Sequence, residues 1–165
     1  MTGGPALESA RTLAALGRGR EARATLDAIL ERDPGHPAAL VLLGEVLLHD
    51  RDAQAALAAA SRAAAADEGS AEARNLEARA LHALGRDEEA LASARKAQSL
   101  LSGPGGFRQV APVYLTLVWC LRALGRLAEA LETAEEGLRR TPDAVLAEWA
   151  GVVEQDLAAA QEERC

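Results

Sequence analysis

The amino-acid sequence predicts an all-α solenoid of about four helix-turn-helix repeats, closed by a C-terminal capping helix. Three observations predict it. Ala-Leu-Gly-Arg occurs at Ala15 to Arg18, Ala83 to Arg86 and Ala123 to Arg126, each copy leading into an acidic and then Ala-rich stretch. Apolar residues on either side recur with the 3.6-residue period of a helix. The apolar half of the chain is mostly Ala, Leu and a little Val, with only one Phe, one Tyr and two Trp. Alanine loses no side-chain entropy in a helix and lets backbones approach, whereas strands favour the β-branched and aromatic residues that are scarce here.

The turns set the register. Gly17, Gly85 and Gly125 are separated by 68 and 40 residues, and 68 is twice 34, so a further turn is expected near residue 51. His49-Asp50-Arg51-Asp52 supplies it, with Arg51 in the glycine's place. Five residues after each turn position stand Ala22, Ala56, Ala90 and Ala130.

In the first unit, Leu13 and Leu16 lead to Gly17, whose missing Cβ permits the left-handed turn that ends a helix. A second helix carries Ala22, Leu26, Ile29 and Leu30 on one face, and Asp33-Pro34-Gly35 stops it. The second unit runs through Leu40, Leu43, Gly44 and Leu47, then Ala56, Leu57, Ala60 and Ala63, to Asp67-Glu68-Gly69-Ser70. Leu76, Leu81 and Leu84 begin the third, followed by Ala90, Leu91, Ala94 and Ala97. The fourth has Tyr114, Leu117, Leu121 and Leu124, then Ala130, Leu131, Ala134 and Leu138, up to Thr141-Pro142-Asp143. Repeats are therefore expected at 3–36, 37–70, 71–104 and 111–144, with a loop insertion at 105–110. Ser102-Gly103-Pro104-Gly105-Gly106-Phe107 is the strongest loop signal, readable as a spacer or a lid. The tail at 145–165 puts Leu146, Trp149, Val152, Val153 and Leu157 on one face, as a helix covering the last repeat requires.

A 34-residue helical hairpin with small residues at fixed crossings and Asp-Pro at its end resembles the tetratricopeptide (TPR) repeat. Leu43-Gly44 with Leu47, the Ala22, Ala56, Ala90 and Ala130 series, Asp33-Pro34 and Pro142 carry the resemblance over nearly the whole chain. The early aromatic of the first helix is present once, as Tyr114, and is Ala6, Leu40 and Arg74 elsewhere; the small residue matching Gly44 is Ala10, Ala78 and the larger Val118. The resemblance implies a right-handed α-solenoid that binds protein partners.

Several function classes find little support in the residues. With 18 basic and 25 acidic side chains the formal charge is -7, which repels nucleic acid. No window approaches 18 uncharged apolar residues and no basic-then-apolar leader opens the chain, so neither a membrane nor an export role is expected and a cytoplasmic location is. Cys120 sits in an apolar helical stretch and Cys165 is the last residue; neither suggests a disulfide framework or a metal cluster. His49 and His82 fall in last turns of helices, where the dipole favours His⁺, and His36 follows a Pro-Gly turn. Gly103-Pro104-Gly105-Gly106 lacks the lysine of a phosphate loop. No catalytic set, cofactor or metal is expected from this pattern.

A concave groove remains. The resemblance implies that the first helix of each unit lines it, with the residues thirteen, ten, six, three and two before the turn pointing inward. Counting back selects Leu7, Arg11, Val41, Glu45, His49, Asn75, Arg79, His82, Leu115, Trp119 and Arg122 as the groove. Ala14, Leu48 and Glu72 fall at further inward positions. Arg and Trp among Leu and Val are the composition of an interaction hot spot, which suits a peptide or helix with apolar anchors and acidic groups. Equally, Arg11, Arg79 and Arg122 are placed to pair with Glu45 and Glu72 across repeats. Co-chaperone TPR domains grip a C-terminal carboxylate with Lys, Asn and Arg; the matching places hold Leu7, Arg11, Leu42, Glu72 and Leu76, a single cation, which disfavours that ligand. The leading reading is thus a scaffold or adaptor. A secretion-type chaperone shielding a partner is the alternative, ahead of a small-molecule sensor or enzyme, and self-association through the terminal helix with Trp149 stays open.

Overall fold

The computed structural model describes residues 4–102 and 106–162. Among them are nine α-helices, one short 3₁₀ turn and no strand: α1 (Gly4–Ala15), α2 (Gly19–Arg32), α3 (Pro37–His49), α4 (Ala53–Ala66), α5 (Ala71–Ala83), α6 (Asp87–Ser99), the turn Gly106–Gln109, α7 (Val110–Ala123), α8 (Leu127–Arg140) and α9 (Ala144–Glu162). The centre of the loop signal at 103–105, and Cys165, lie outside the described residues.

Four hairpin turns are built alike. Gly17, Gly85 and Gly125 have φ of 73°, 72° and 71°, and Arg51 takes the same left-handed conformation with φ 63°. In each, that residue's N–H donates to the carbonyl three back and the next N–H to the carbonyl five back: Gly17 to Ala14 and Arg18 to Leu13, Arg51 to Leu48 and Asp52 to Leu47, Gly85 to His82 and Arg86 to Leu81, Gly125 to Arg122 and Arg126 to Leu121. These paired bonds satisfy carbonyls that a helix end leaves orphaned. In the second unit Arg51 stands where glycine stands elsewhere and accepts a conformation that crowds its Cβ.

Seven of the helix starts divide into two chemistries. Asp52, Ser70 and Asp143 accept from the backbone N–H three residues on, at 3.1, 3.1 and 2.8 Å, and His36 Nδ1 does so at 3.3 Å. After the three glycine turns the opening residue is Arg18, Arg86 or Arg126, each paired with the glutamate three residues on, Glu21, Glu89 or Glu129. Exposed pairs of this kind are screened by water and add little to stability.

Small residues make the crossings. Ala22, Ala56, Ala90 and Ala130 are fully buried in the second helices, and Ala10, Ala78 and Val118 in the first. At Gly44 a Cβ would stand 2.6 Å from Leu76 Cδ2; at Gly137 it would meet Leu146 Cδ2 at 2.7 Å and Tyr114 Cβ at 2.8 Å. Tyr114 is itself fully buried and donates its hydroxyl to Glu136. Leu16 departs from the expected apolar face: it is 66% exposed, because no earlier hairpin covers the first unit among the described residues.

Each helix packs on the next in sequence, and first helices also touch first helices: α1 on α3, α3 on α5, α5 on α7 and α7 on α9. Among the described residues the backbones of successive second helices stay further apart, and α6 reaches α8 through the Arg95–Glu129 side-chain pair at 2.6 Å. The first helices therefore occupy the inner, tighter side of the curve. α9 takes the place of a fifth first helix, burying Leu146 and Val153 completely and leaving Glu148, Glu154 and Gln155 in solvent.

Candidate functional site

Helix geometry puts residues three and four apart on one face, so Arg79, Leu115 and Trp119 project from α5 and α7 toward the same space. They line a cleft of about 260 Å³ with Ala111, Pro112, Thr116, Asp143 and Val145. The cleft is mostly apolar and includes two charged residues, Arg79 and Asp143, the latter's carboxylate accepting from the Leu146 N–H. Val145, which lines it, is 49% exposed. A second, smaller cleft of about 180 Å³ gathers Glu45 and His49 with Ala14, Gly17, Gly19, Leu42 and Val46 between α1 and α3.

The remaining groove candidates are distributed differently. Leu7 is half-buried against the core of the first two units, and Arg11 is exposed, 3.7 Å from Glu8 in its own helix. Val41 and Asn75 stand behind the surface of the wall, 6% and 3% exposed. Both lie on the flank of a first helix that packs on its neighbours, Val41 inside the first core. His82, Trp119 and Arg122 are joined into one assembly: the His82 ring stacks on Trp119 with centroids 6.3 Å apart, Trp119 meets Trp149 edge-on at 5.9 Å, and the Arg122 guanidinium lies 5.8 Å from the Trp149 ring. Arg122 also donates to Asp156 at 2.5 Å. α9 thus covers part of what the fourth first helix would otherwise present.

The three groove arginines have different commitments. Arg79 Nη1 is 3.8 Å from Glu45 Oε1 on α3, a cross-repeat pair too long for a hydrogen bond. Arg11 and Arg122 turn to Glu8 and Asp156, not to Glu45 or Glu72. Of the three, Arg79 is the cation that borders the α5–α7 cleft. Its counter-ion is easily exchanged, because pairs of this exposure are worth at most about 1 kcal/mol. Burial pushes the Glu45 carboxyl above its ordinary value; Arg79 opposes the rise, Glu72 adds to it and Arg11 opposes it.

Elsewhere, polar side chains knit the units together. Glu77 on α5 accepts from Ser61 on α4 at 3.0 Å and from Ser93 on α6 at 3.2 Å, and pairs with Arg74. Cys120 is fully buried, and burial with the nearby Asp87 carboxylate pushes its thiol up to about 12, so a free thiolate nucleophile is disfavoured. Its neighbours were not apparent from sequence: His82, Asp87 and Cys120 present an imidazole nitrogen, a carboxylate oxygen and a sulfur all within 4.8 Å of one another. They are five and 33 residues apart, a spacing that signals nothing until α5, α6 and α7 pack. Among the described residues no helix is long and apolar enough to cross a membrane.

Comparison with known proteins agrees with this architecture. Tetratricopeptide repeat patterns match residues 7–71, and 71–100 with 111–143. Among solved structures the chain is similar to TTC0263, a thermophilic TPR protein in Thermus thermophilus, at 20% identity and TM-score 0.80 over 93% of this chain and 81% of that one. It is similar to Pseudomonas aeruginosa pilF at 21% identity and TM-score 0.80, covering 96% and 71% of the two chains. YrrB, a TPR protein with an unusual peptide-binding site, shares 22% identity at TM-score 0.69, over 97% and 78%. No curated protein sequence matches the chain. With tetratricopeptide repeat patterns matching well over half of its length, the chain belongs to the tetratricopeptide repeat family.

Proposed function

We propose that the chain is a protein-protein interaction scaffold or adaptor that holds a partner peptide or helix in the concave groove, centred on the cleft between α5 and α7. Membership of the tetratricopeptide repeat family supports the general role, and the fold likeness to YrrB, described as having a peptide-binding site, is consistent with it. The observation that carries the specific reading is the convergence of Arg79, Leu115 and Trp119 on one cleft from two neighbouring first helices. Leu115 and Trp119 offer apolar surface to an anchor side chain, and Arg79 offers a cation that can leave Glu45 for a partner carboxylate. Truncating such a central Arg or Trp typically costs a binding partner more than about 1.4 kcal/mol, a tenfold change.

The test uses fluorescently labelled peptides carrying an apolar residue flanked by aspartates, or by lysines, and reads binding by anisotropy. The acidic set is expected to bind the wild type and to weaken at least about tenfold with Arg79→Ala and with Leu115→Ala. Equal binding of acidic and basic sets, unaffected by Arg79→Ala, would reject the assignment.

A further inference from the structure

We propose that His82, Asp87 and Cys120 form a zinc site that ties the third unit to the fourth. His82 comes from the last turn of α5, Asp87 is the first residue of α6 and Cys120 comes from the last turn of α7. One imidazole, one carboxylate and one thiol are the donor types that zinc takes in proteins, and their donor atoms already lie within 4.8 Å of one another. Tetrahedral zinc, with bonds of about 2.0 to 2.3 Å, holds its ligand atoms about 3.5 Å apart. The three donors therefore need movements of about one ångström, the scale of a side-chain adjustment. The ion would replace the hydrogen that His82 Nδ1 and Asp87 Oδ1 share across 2.5 Å.

Charge favours the same occupant. Zn²⁺ bound by an aspartate, a thiolate and a neutral imidazole sums to zero, so the filled site puts no net charge beside the apolar residues around Cys120. As the zinc bonds form, the thiol proton passes to solvent and the shared hydrogen moves by way of solvent to Nε2 of the neutral His82 ring; no electron transfer is involved. Cys120 is fully buried, while the His82 and Asp87 side chains are 33% and 19% exposed. Solvent thus reaches the site from their side, and a water completes the four-coordinate set. The His82–Asp87 pair alone accounts for two of the residues as a link between α5 and α6. It does not use the third donor, which the next unit brings against it. Zinc here would fix the α5–α6 turn to α7 and hold the ring on which Trp119 stacks. This inference holds whether or not the cleft takes a peptide.

The full chain, reduced and freed of metal, is titrated with Co²⁺ as a spectroscopic probe and then with Zn²⁺. One ion per chain is expected, with the intense visible bands of tetrahedral Co²⁺ and a sulfur-to-cobalt charge-transfer band, both displaced by Zn²⁺. Cys120→Ala should abolish the charge-transfer band, His82→Asn should weaken binding at least about tenfold, and Cys165→Ser should change neither. Circular dichroism checks that each variant stays helical; if Cys120→Ala does not, His82→Asn decides the matter by its affinity. A wild type without the charge-transfer band, a band removed by Cys165→Ser instead, or affinity unchanged by His82→Asn would overturn the proposal.

Discussion

The Arg79 guanidinium stands 3.8 Å from the Glu45 carboxylate, each on a first helix of adjacent units. Burial raises the Glu45 carboxyl above its ordinary value despite this attraction, so desolvation outweighs the pair. A carboxyl that binds its proton more tightly when folded contributes stability in full below the ordinary carboxylate range. That contribution is lost as pH climbs through the raised folded value. Glu45→Gln is therefore expected to be more stable than wild type at neutral pH, by less than about 1 kcal/mol because the side chain is half-exposed. The difference should close in mild acid. Urea denaturation at the two pH values checks it.

Arg51 has φ 63° where its three counterparts are glycine. A side chain in this region costs about 1 to 2 kcal/mol, partly offset by the greater entropy that glycine loses on folding. Arg51→Gly should stabilise the protein by about 1 kcal/mol, and Gly85→Ala should destabilise it by a similar amount. Thermal unfolding reads the pair as shifts of opposite sign, about 3 °C each.

Gly44 and Gly137 are both close approaches, yet their neighbours differ. The contact at Gly44 is the tip of Leu76, which can rotate, whereas at Gly137 the base of the Tyr114 ring and Leu146 leave no room. Gly137→Ala should cost about 1 to 3 kcal/mol through overpacking. Gly44→Ala should cost less, because the Leu76 tip can move aside, while the gain of about 1 kcal/mol in helix propensity is common to both variants. Chemical denaturation of the two variants gives the order directly.

Arg122 links α7 to α9 through Asp156 and through the Trp149 ring. Both interactions are partly exposed, so Arg122→Ala should lower global stability by less than about 1 kcal/mol. Its larger effect should be local. Amide hydrogen exchange in α9 is expected to quicken while that of α3 and α4 stays unchanged.

How much of this was legible in the sequence follows from the range of each signal. Turns and crossings are local, so Gly17, Gly85 and Gly125 marked their hairpins, and the spacing alone exposed Arg51 as a fourth. Inward-facing positions were counted along one helix, a count blind to what packs on its flank. That is why Val41 and Asn75 lie behind the wall. Trp119 and Arg122 were visible as inner-face residues, but their cover by Trp149 and Asp156 depends on where α9 docks. Asp143, before α9, and Val145, in its first turn, also line the cleft, and neither stands at a position counted on the first helices. Cys120 beside His82 and Asp87 is a contact among three helices, and no spacing rule reaches it.

The central claim is that Arg79 and Trp119, sharing one cleft on the inner wall, hold the partner. The most direct measurement is a quantitative pull-down from the native cell extract with wild type and the Arg79→Ala, Trp119→Ala double variant as baits, once circular dichroism has matched their helicity. Loss of the principal bound protein from the double variant is the predicted result. The same bound set in the same amounts on both baits would contradict it.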